Sequence, residues 1–331
     1  MVEKMKDNLR TVDVFSGGGG LSLGFMNAGF NIIAAFDNWQ PAIDLYQANF
    51  HNHPIIKADL SDAKVIEQIG VFKPELIIGG PPCQDFSSAG KRDEKLGRAN
   101  LTVSFAKIVC ELRPTFFVME NVDRAIKSKT FAHAKRLFEE SGYALSIKIL
   151  NASLCGVPQI RKRLVVIGEL NGQGGFLDFS LDKHLSKKQM TLRDYFGENL
   201  GIEHYYRHPR SYLRRGVFSI DEPSPTVRGI NRPVPKGYPG HSGDTSPVTG
   251  NIRPLTTKER SQIQTFPKSF KLVGSKTEVE QIIGNAVPVK LGEFVAKRLL
   301  EYIKEKSATV VIRKNKFSNI TNPILIRPSY Q

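Results

Sequence analysis

The sequence predicts a doubly wound, mostly parallel, Rossmann-like α/β sheet joined to a small loop-rich lobe. Short apolar segments alternate with segments of helical periodicity through residues 11–168, which is typical of the strands and helices of a parallel sheet. From about residue 171 the periodicity fades, and Gly, Pro, Arg and His dominate. We therefore expect a sheet with helices on both faces and a second, smaller domain.

Strands and helices are expected in alternation along the first half of the chain. The expected strands are 11–16, 31–36, 55–58, 75–78, 115–119, 143–150 and 163–168. The expected helices are 21–28, a segment around Ala42, Leu45 and Tyr46, 64–72, 101–112, 131–141 and 289–304. Gly29 is expected to end the first helix, because glycine readily adopts the left-handed conformation that closes helices.

Residues suited to ligand contacts directly follow five of these strands. They are Gly17–Gly20, Asp37, Asp59, Cys83 and Glu120. In open α/β sheets, ligands bind beyond the carboxyl ends of the strands. The sequence therefore predicts a functional site at that edge of the sheet.

The change of composition predicts the domain boundaries. A sheet domain is expected at 1–170, completed by 284–305, with a second domain at 171–283 and a basic tail at 306–331. The Gly/Pro-rich part of the second domain is either a disordered insert or an ordered binding lobe. An ordered lobe is favoured by the apolar residues Leu192, Tyr195, Phe196, Tyr212, Leu213 and Phe218.

Charge and cysteine content limit the function classes. The 331 residues carry a formal net charge of +15, which favours a polyanionic partner such as nucleic acid over a merely basic soluble protein. The three cysteines form no C-x-x-C pair, so we expect neither a disulfide framework nor a metal site, and a reducing, cytoplasmic compartment. The start of the chain lacks a signal-peptide core, and no apolar run approaches a membrane span.

The turn Gly79-Gly80-Pro81-Pro82-Cys83 presents a thiol at the end of an apolar strand. The glycines allow close backbone approach and the prolines stiffen the turn, which suits a nucleophile. A lone cysteine is more often a small buried apolar residue. Here the following polar residues Asp85 and Ser87 favour the nucleophile.

The glycine turn 17–20 indicates a nucleotide-like ligand. Its spacing does not match the nicotinamide-dinucleotide fingerprint, and no Gly-Lys-Ser/Thr follows for a phosphate-binding loop. An adenosine ligand without a pyrophosphate suits such a turn, and S-adenosylmethionine is one. Asp37 would then contact the ribose hydroxyls and Asp59 the adenine edge.

Two further stretches carry candidate catalytic groups. Glu120 follows an apolar strand, where desolvation raises a carboxyl pKa enough for it to donate a proton, although a structural pair with an arginine is equally compatible. The run 159–163, Gln-Ile-Arg-Lys-Arg, places alternate polar side chains on one face of a strand. That face is either a solvated basic surface or a source of arginines that favour a thiolate and hold a substrate carbonyl.

Taken in order, six segments resemble the motifs of the DNA (cytosine-5) methyltransferases. They are 13–20 (Asp-Val-Phe-Ser-Gly-Gly-Gly-Gly), 79–87 with its Pro-Cys pair, 120–122 (Glu-Asn-Val), 159–163, 253–267 and 284–288 (Gly-Asn-Ala-Val-Pro). The resemblance covers nearly the whole chain except its tail. It implies an S-adenosylmethionine-dependent catalytic domain at 1–170 with 284–305, and a target-recognition domain at 171–283.

The resemblance also implies a mechanism. The Cys83 thiolate would attack C6 of a cytosine flipped out of the duplex, while Glu120 hydrogen-bonds or protonates N3. Arg163 would contact the cytosine O2, and Arg161 would support the site and a nearby phosphate. The loop 87–100 would close over the base, or is an ordinary surface turn.

The implied binding residues form two sets. The cofactor set is Phe15, Ser16, Gly17, Gly19, Gly20, Leu21, Asp37, Asn38, Asp59, Leu60, Pro81, Leu101, Asn285, Ala286 and Val287. The DNA set is Gln84 and Ser87 of the Pro-Cys motif together with Arg228, Asn231 and Arg232. The last three come from the stretch 171–252, which also contains Arg207, Arg210, Arg214 and Arg215. Family members often carry Glu and an aromatic after the second strand, whereas here Asn38 separates Asp37 from Trp39. Phe15 is therefore the expected adenine-stacking ring.

The resulting prediction is an enzyme that methylates cytosine C5 at a short target in double-stranded DNA, releasing S-adenosylhomocysteine. By analogy it would be the modification half of a restriction-modification system: monomeric, cytoplasmic, nucleoid-associated and paired with a restriction endonuclease that acts on the same site. A tRNA cytosine-5 methyltransferase is the alternative. A catalytically silent DNA-binding protein is disfavoured by Cys83, Glu120 and Arg163, and a nicotinamide oxidoreductase by the glycine spacing.

Overall fold

A seven-stranded sheet forms the centre of the protein. A computed structural model describes residues 9–82, 101–248 and 250–318, and the side chains as far as Ala308. The strands are β1 (Arg10–Val14), β2 (Asn31–Asp37), β3 (Ile55–Lys57), β4 (Leu76–Gly79), β5 (Phe116–Val122), β6 (Tyr143–Asn151), β7 (Gln159–Ile160), β8 (Lys162–Leu170), β9 (His204–Tyr206), β10 (Val217–Ser219) and β11 (Ser224–Pro225). The central sheet has the order β3-β2-β1-β4-β5-β8-β6.

The first five strands in that order are parallel, and β8 lies antiparallel between β5 and β6. The helices are α1 (Gly20–Ala28), α2 (Gln40–Asn49), α3 (Val65–Gly70), α4 (Leu101–Leu112), α5 (Lys129–Glu140), α6 (Asp178–Lys183), α7 (Leu192–Phe196), α8 (Thr257–Ile263), α9 (Lys276–Asn285) and α10 (Val289–Ser318). The predicted fold class is confirmed. Gly29 follows α1 with φ of 101°, as expected for a left-handed helix end.

Both faces of the sheet are covered by helices. On one face, Phe25 of α1 and Leu299 of α10 pack with Phe116 and Ile78 of the sheet. On the other face, α3, α4 and α5 pack on the sheet, and the ring of Phe117 stacks on a helix phenylalanine, Phe138, at 4.2 Å between centroids. Apolar strands buried on both sides are typical of parallel sheets.

Helix α6 and the end of α10 lie close to the predicted domain boundaries. Leu177 and Leu181 of the α6 region join the cluster that contains α10 and the sheet, so α6 packs with the sheet although it follows residue 170. The terminal helix was expected to end at 304 or 305. Instead α10 continues to Ser318, so the expected tail begins inside a helix.

The second lobe has a small core that is continuous with α2. Phe218, Phe266 and Ile282 pack with Leu45 and Tyr46 in this cluster. Capping boxes fix the starts of its helices: Thr256 and Glu259 exchange hydrogen bonds at α8, and Ser275 and Glu278 do so at α9. Of the apolar residues that favoured an ordered lobe, Leu192, Phe196 and Phe218 are buried, whereas Tyr212 and Leu213 are exposed, so these two do not belong to its core.

Helices α1 and α10 touch backbone to backbone at Gly24. A Cβ at this position would lie 2.6 Å from the Val289 carbonyl oxygen and 2.7 Å from the Glu293 amide nitrogen. Glycine here is therefore required by the close approach of the two helices, at the usual cost in helix propensity.

We expect Gly24→Ala to destabilise the protein by about 1–3 kcal/mol, because the added methyl group forces α1 and α10 apart. Helix propensity alone would give the opposite sign. Urea unfolding measures the change. Gly174→Ala is the matched control, since a Cβ there meets nothing within 4 Å. Equal stability of the Gly24 variant and the wild type would contradict the close packing.

Candidate active site and arginine-lined cleft

The topology brings three strand ends together at the carboxyl edge of the sheet. The chain runs outward from β1 to β2 and β3 and then returns to β4 on the other side of β1, which makes the gap between β1 and β4 the switch point of the sheet. Val14 pairs with Gly79, and Gly79 pairs with Met119. The turn after β1, the turn after β4 and Glu120 therefore meet at one corner.

The turn after β4 approaches Glu120 closely. A Cβ on Gly80 would lie 3.3 Å from Glu120 Oε2, so a small residue is needed there. Pro81 is buried, and Pro82 is the last described residue before the gap. Cys83, Gln84, Ser87 and the rest of the loop 87–100 lie outside the described residues, and their roles stay predictions.

Glu120 and Arg163 form a nearly buried ion pair. Arg163 Nε lies 2.8 Å from Glu120 Oε1, and the two side chains are 12% and 11% exposed. Arg163 is opposite Val122 in the β5–β8 register, two residues from Glu120, so both side chains lie on the same face of the sheet. Burial raises the pKa of Glu120, and the positive charges of Arg163 and Arg161 oppose that rise.

Arg161 is buried and is bound entirely to backbone. Its guanidinium donates to the carbonyl oxygens of Val227 at 3.1 Å, Gly284 at 3.0 Å and Ala286 at 3.1 Å. Burial lowers the pKa of this arginine. The side chain is 2% exposed, and its Nε has no hydrogen-bond partner in the described chain. The predicted phosphate contact of Arg161 stays a prediction. Its position beside Glu120 is compatible with the predicted supporting role.

The polar face of residues 159–163 points inward. Gln159 is buried like Arg161, while Ile160 and Lys162 are exposed. Gln159 donates to Gln264 at 2.8 Å and accepts from the Val227 amide at 2.8 Å. The alternation was predicted correctly, and the reading of this run as a solvated basic face is wrong.

The turn after β1 offers polar groups and open space. Asp37 accepts hydrogen bonds from the amides of Gly17 at 2.8 Å and Trp39 at 2.9 Å, and burial raises its pKa. Gly17 has φ of 52° with nothing within 4 Å of its Cβ position. The Ser16 hydroxyl is buried without a hydrogen-bond partner in the described chain. An unpaired buried hydroxyl next to open space fits a polar ligand such as the adenosine and amino-acid parts of S-adenosylmethionine.

The other predicted cofactor residues differ in their contacts and in their exposure. A Cβ on Gly20 would lie 2.2 Å from the Val287 carbonyl oxygen, so the turn after β1 directly contacts the segment 285–287. Asp59 is exposed after β3 and accepts from the amide and hydroxyl of Ser61 at 2.9 and 2.6 Å. The remaining members differ in exposure: Leu21, Leu60, Ala286 and Val287 are buried, Phe15 and Leu101 are half-buried, Gly19 is buried, and Asn38 and Asn285 are exposed.

Sequence reasoning missed a buried polar network beneath this turn. Ser22 donates to Asp13 at 2.5 Å, Tyr46 donates to Ser22 at 2.9 Å, and the Tyr46 hydroxyl lies 2.7 Å from His53 Nε2. Burial raises the pKa of Asp13 to about 7. The available signal was an aspartate inside an apolar strand, whereas Tyr46 was assigned only to the core.

A cleft of about 460 Å³ separates the sheet domain from the second lobe. Its wall on the sheet side includes Val122 and Asp123. Arginines dominate its lining: Arg124, Arg163, Arg207, Arg210, Arg214, Arg215 and Arg228. Such a concentration of positive charge attracts a polyanion.

The predicted DNA-contacting residues are placed unequally. Arg228 lines this cleft, and its guanidinium donates to the His208 carbonyl. Asn231 donates to the Leu255 carbonyl at 2.8 Å and to Glu280 at 3.3 Å. Both hydrogen bonds use the Asn231 amide nitrogen, so its donor is engaged within the protein, and its predicted contact with DNA stays a prediction. Arg232 is exposed and lies outside the cleft lining.

The described residues contain neither a metal-binding cluster nor a membrane-spanning helix. No group of three or more His, Cys, Asp or Glu side chains is arranged to hold a metal ion. Within the same part of the chain, none of the helices combines the length and apolarity needed to cross a bilayer.

Comparison with known proteins supports this geometry. The family model of the C-5 cytosine-specific DNA methylases matches residues 9–301. The chain is 58% identical over 299 residues to the Type II methyltransferase M.HindV of Haemophilus influenzae, covering 90% of this chain and 98% of that protein. It is 56% identical over 298 residues to M.HgiDI of Herpetosiphon aurantiacus, covering 90% and 96%. The crystal structure of the S. pombe Dnmt2 methyltransferase has the same fold, with a TM-score of 0.64 at 19% identity over 89% of this chain and 98% of that one.

The sheet order and the glycine turn at the switch point give the chain the fold of the S-adenosylmethionine-dependent methyltransferases, as in the solved methyltransferase structures. The chain belongs to the C-5 cytosine-specific DNA methylase family, as the resemblance of its motifs predicted.

Asp13 predicts a specific pH dependence of stability. Its pKa rises from 3.8 to about 7 on folding, so the native state binds the extra proton and the free energy of unfolding decreases as pH rises from about 4 to about 7. Asparagine cannot ionise. We therefore expect the stability of Asp13→Asn, relative to wild type, to increase by about 2–4 kcal/mol across that window.

Urea unfolding at a series of pH values measures this difference. The exposed Asp44→Asn variant is the matched control, and its difference from wild type should stay nearly constant. A constant difference for Asp13→Asn as well would show that Asp13 is ionised in the folded protein.

Proposed function

We propose that this enzyme methylates C5 of cytosine within a short specific sequence of double-stranded DNA. The observation that carries the proposal is the nearly buried Glu120–Arg163 pair at the end of an arginine-lined cleft, since Arg163 belongs to both. The cleft offers cations for a phosphate backbone, and the pair offers a carboxyl group and a guanidinium for one base. A target base inside a duplex is out of reach, so the cytosine must be flipped into the site.

The proposed chemistry begins with a bond between the Cys83 sulfur and C6 of the cytosine. Glu120 donates a proton or hydrogen bond to N3, and Arg163 donates to O2, so that the electron pair displaced from the C5–C6 bond makes C5 nucleophilic. S-adenosylmethionine supplies, when bound, a methyl group activated by its sulfonium. After C5 is methylated, its proton is removed and the C6–sulfur bond breaks, which restores the double bond and the thiolate.

The cofactor is proposed to lie at the turn after β1. Support comes from the unpaired Ser16 hydroxyl, the open side of Gly17 and the carboxylate of Asp37, which suits ribose hydroxyls. Phe15 is proposed to stack on the adenine and Asp59 to contact its edge. The segment 285–287 would close the pocket, because it already contacts the turn at Gly20.

The biological setting is proposed from the relatives. M.HindV and M.HgiDI are both named Type II methyltransferases, which supports a modification enzyme that protects a site from a partner endonuclease. Such a role places the enzyme with the chromosomal DNA. The arginine-rich cleft and these relatives favour DNA over the tRNA alternative.

Bisulfite sequencing of DNA from cells expressing the protein tests the proposal and identifies the target sequence. Methylated cytosines in one short sequence context are expected. Incorporation of labelled methyl groups into duplex DNA and into tRNA is compared with purified protein. Labelled tRNA together with unmodified DNA would establish the alternative.

We expect Cys83→Ser to abolish methyl transfer and to leave DNA binding largely intact, because the serine hydroxyl is a far weaker nucleophile than a thiolate. Methyl incorporation and gel-shift titration measure the two properties. Cys110→Ser is the matched control, since that thiol donates to the Leu137 carbonyl at 3.3 Å, away from the cleft, and its variant should stay active.

The same covalent step is tested with a trapped substrate. Duplex DNA with 5-fluorocytosine at the target should remain attached to the wild-type protein on a denaturing gel and should not attach to Cys83→Ser. Normal turnover by that variant would exclude the covalent mechanism.

Glu120→Gln is expected to lower the single-turnover methylation rate by about 10²–10⁴-fold at neutral pH, because the amide donates a hydrogen bond and cannot transfer a proton. The raised pKa of Glu120 gives this loss a pH dependence. As pH rises through that pKa, the wild type loses its protonated carboxyl group, so the ratio of wild-type to variant rates should fall. A ratio independent of pH would contradict the role of Glu120 as the acid.

A further inference from the structure

The second lobe carries an exposed turn, Ser211–Arg214, whose last residue lines the cleft. Leu213 is 88% exposed, the highest value among the large apolar side chains that the structure describes. Arg214 beside it is exposed and lines the cleft. We call Ser211–Arg214 the recognition turn. Tyr212 beside Leu213 is 45% exposed, so the turn presents two large apolar side chains next to a cation.

The backbone of the recognition turn is held in place. The Arg214 amide donates to the Ser211 carbonyl at 3.0 Å, and the Leu213 amide donates to the Ser211 hydroxyl at 3.3 Å. The Leu213 carbonyl lies 3.2 Å from His241 Nε2. Tyr212 packs edge-on against Tyr238, with 5.7 Å between ring centroids.

The chain that follows the turn is fixed as well. The neighbouring Arg215 forms a two-pronged ion pair with Glu222, and its guanidinium lies 4.2 Å from the Phe218 ring centroid. The Gly216 amide donates to Tyr238 and Asp244 at 2.9 and 2.8 Å. Arg214 therefore extends from a rigid base, which reduces the entropy lost when it binds.

The other arginines of this wall are already used within the protein. Arg207 donates to the Thr226 carbonyl at 2.9 Å, Arg228 donates to the His208 carbonyl, and Arg215 is paired with Glu222. Arg210 also interacts with another part of the chain. Within the described residues, the guanidinium of Arg214 has no hydrogen bond or ion pair, so all its donors are available to the DNA.

We infer that Arg214 is a specificity-determining residue, which reads a guanine of the target through its N7 and O6 atoms in the major groove. This inference rests on the proposed function. A guanidinium can donate two parallel hydrogen bonds to these acceptors, an arrangement that needs a fixed starting position. Phosphates are accessible from many positions and require no such anchoring. Leu213 gives the turn an apolar surface that is buried when the turn enters the groove.

The test uses the target sequence that bisulfite sequencing identifies. Single-turnover methylation is measured on the natural duplex and on duplexes in which one guanine at a time is replaced by 7-deazaguanine, which lacks the N7 acceptor. For the wild type, we expect one position at which this change lowers the rate by about 5–150-fold. Arg214→Gln should lose a similar factor on the natural duplex and should lose nothing further at that position.

Two more variants separate base reading from charge and from folding. Arg214→Lys keeps the charge but not the paired donors, so it should lose discrimination at the same guanine. Arg136→Gln removes an exposed charge on α5 and should behave like the wild type at every position. Circular dichroism and unchanged rates on the other substituted duplexes would show that the Arg214 variants remain folded.

Three outcomes would overturn the inference. The first is that Arg214→Gln matches the wild type on all duplexes. The second is that it weakens binding equally for every sequence and reduces the salt slope by about 1, as expected for a phosphate contact. A further loss of the usual size on the 7-deazaguanine duplex would likewise exclude the contact. If the wild type methylates no duplex DNA, the proposed function fails, and the inference fails with it.

Discussion

The buried guanidinium of Arg161 joins three parts of the chain that are distant in sequence. It lies between β7 and β8, and it binds Val227 of the second lobe and Gly284 and Ala286 at the end of α9. A buried cation is tolerated only when it is hydrogen-bonded and its charge is compensated. The carbonyls supply the hydrogen bonds, and the neighbouring carboxylate of Glu120 stabilises the positive charge of Arg161. The lobe, the last motif and the active-site strand are therefore fixed by one side chain.

This arrangement also sets the charge of the site. Two guanidinium groups, those of Arg161 and Arg163, lie near one carboxyl group, that of Glu120. The excess of positive charge favours an anion in this corner, whether a thiolate or negative charge developing on a cytosine oxygen. The same two guanidinium groups lower the pKa of Glu120 and so act against the rise that burial causes. Under the proposed function, binding of a neutral base would displace water and strengthen every one of these interactions.

The sequence predicted the sheet and the corner well, because both depend on local patterns. Apolar strands, a left-handed glycine after α1 and reactive residues at strand ends can each be recognised within about ten residues. The fate of Gln159 and Arg161 could not be predicted in this way. Their alternation indicates a shared face, but the groups that turn this face into an interior lie at Val227, Gln264 and 284–286. Contacts over such separations leave no periodic signal.

The sequence also could not predict which polar side chains of the second lobe are already bonded within the protein. Arginine and asparagine side chains in a Gly/Pro-rich stretch all resemble base-reading residues when only composition is known. The structure separates them by their partners: Asn231 is held by Leu255 and Glu280, while the guanidinium of Arg214 has no hydrogen bond or ion pair to any residue that the structure describes. The length of α10 was also underestimated, because the basic residues after 305 carry no helix-stop signal and no strong apolar stripe.

The second lobe is bonded directly to β7, which leads into β8 and Arg163. The groups proposed for DNA recognition and for chemistry therefore keep fixed positions relative to each other. Ser224 pairs with Gln159 in register, and the Thr226 hydroxyl donates to the Ile160 carbonyl at 2.8 Å, only three residues before Arg163. Opening the cleft would also unpair the buried bonds of Gln159 and Arg161 to Val227, at about 1–3 kcal/mol for each. The protein therefore cannot easily move the Glu120–Arg163 pair toward a base inside a helix. If the enzyme acts on duplex DNA, as proposed, the movement that brings cytosine and Glu120 together must come mainly from the DNA.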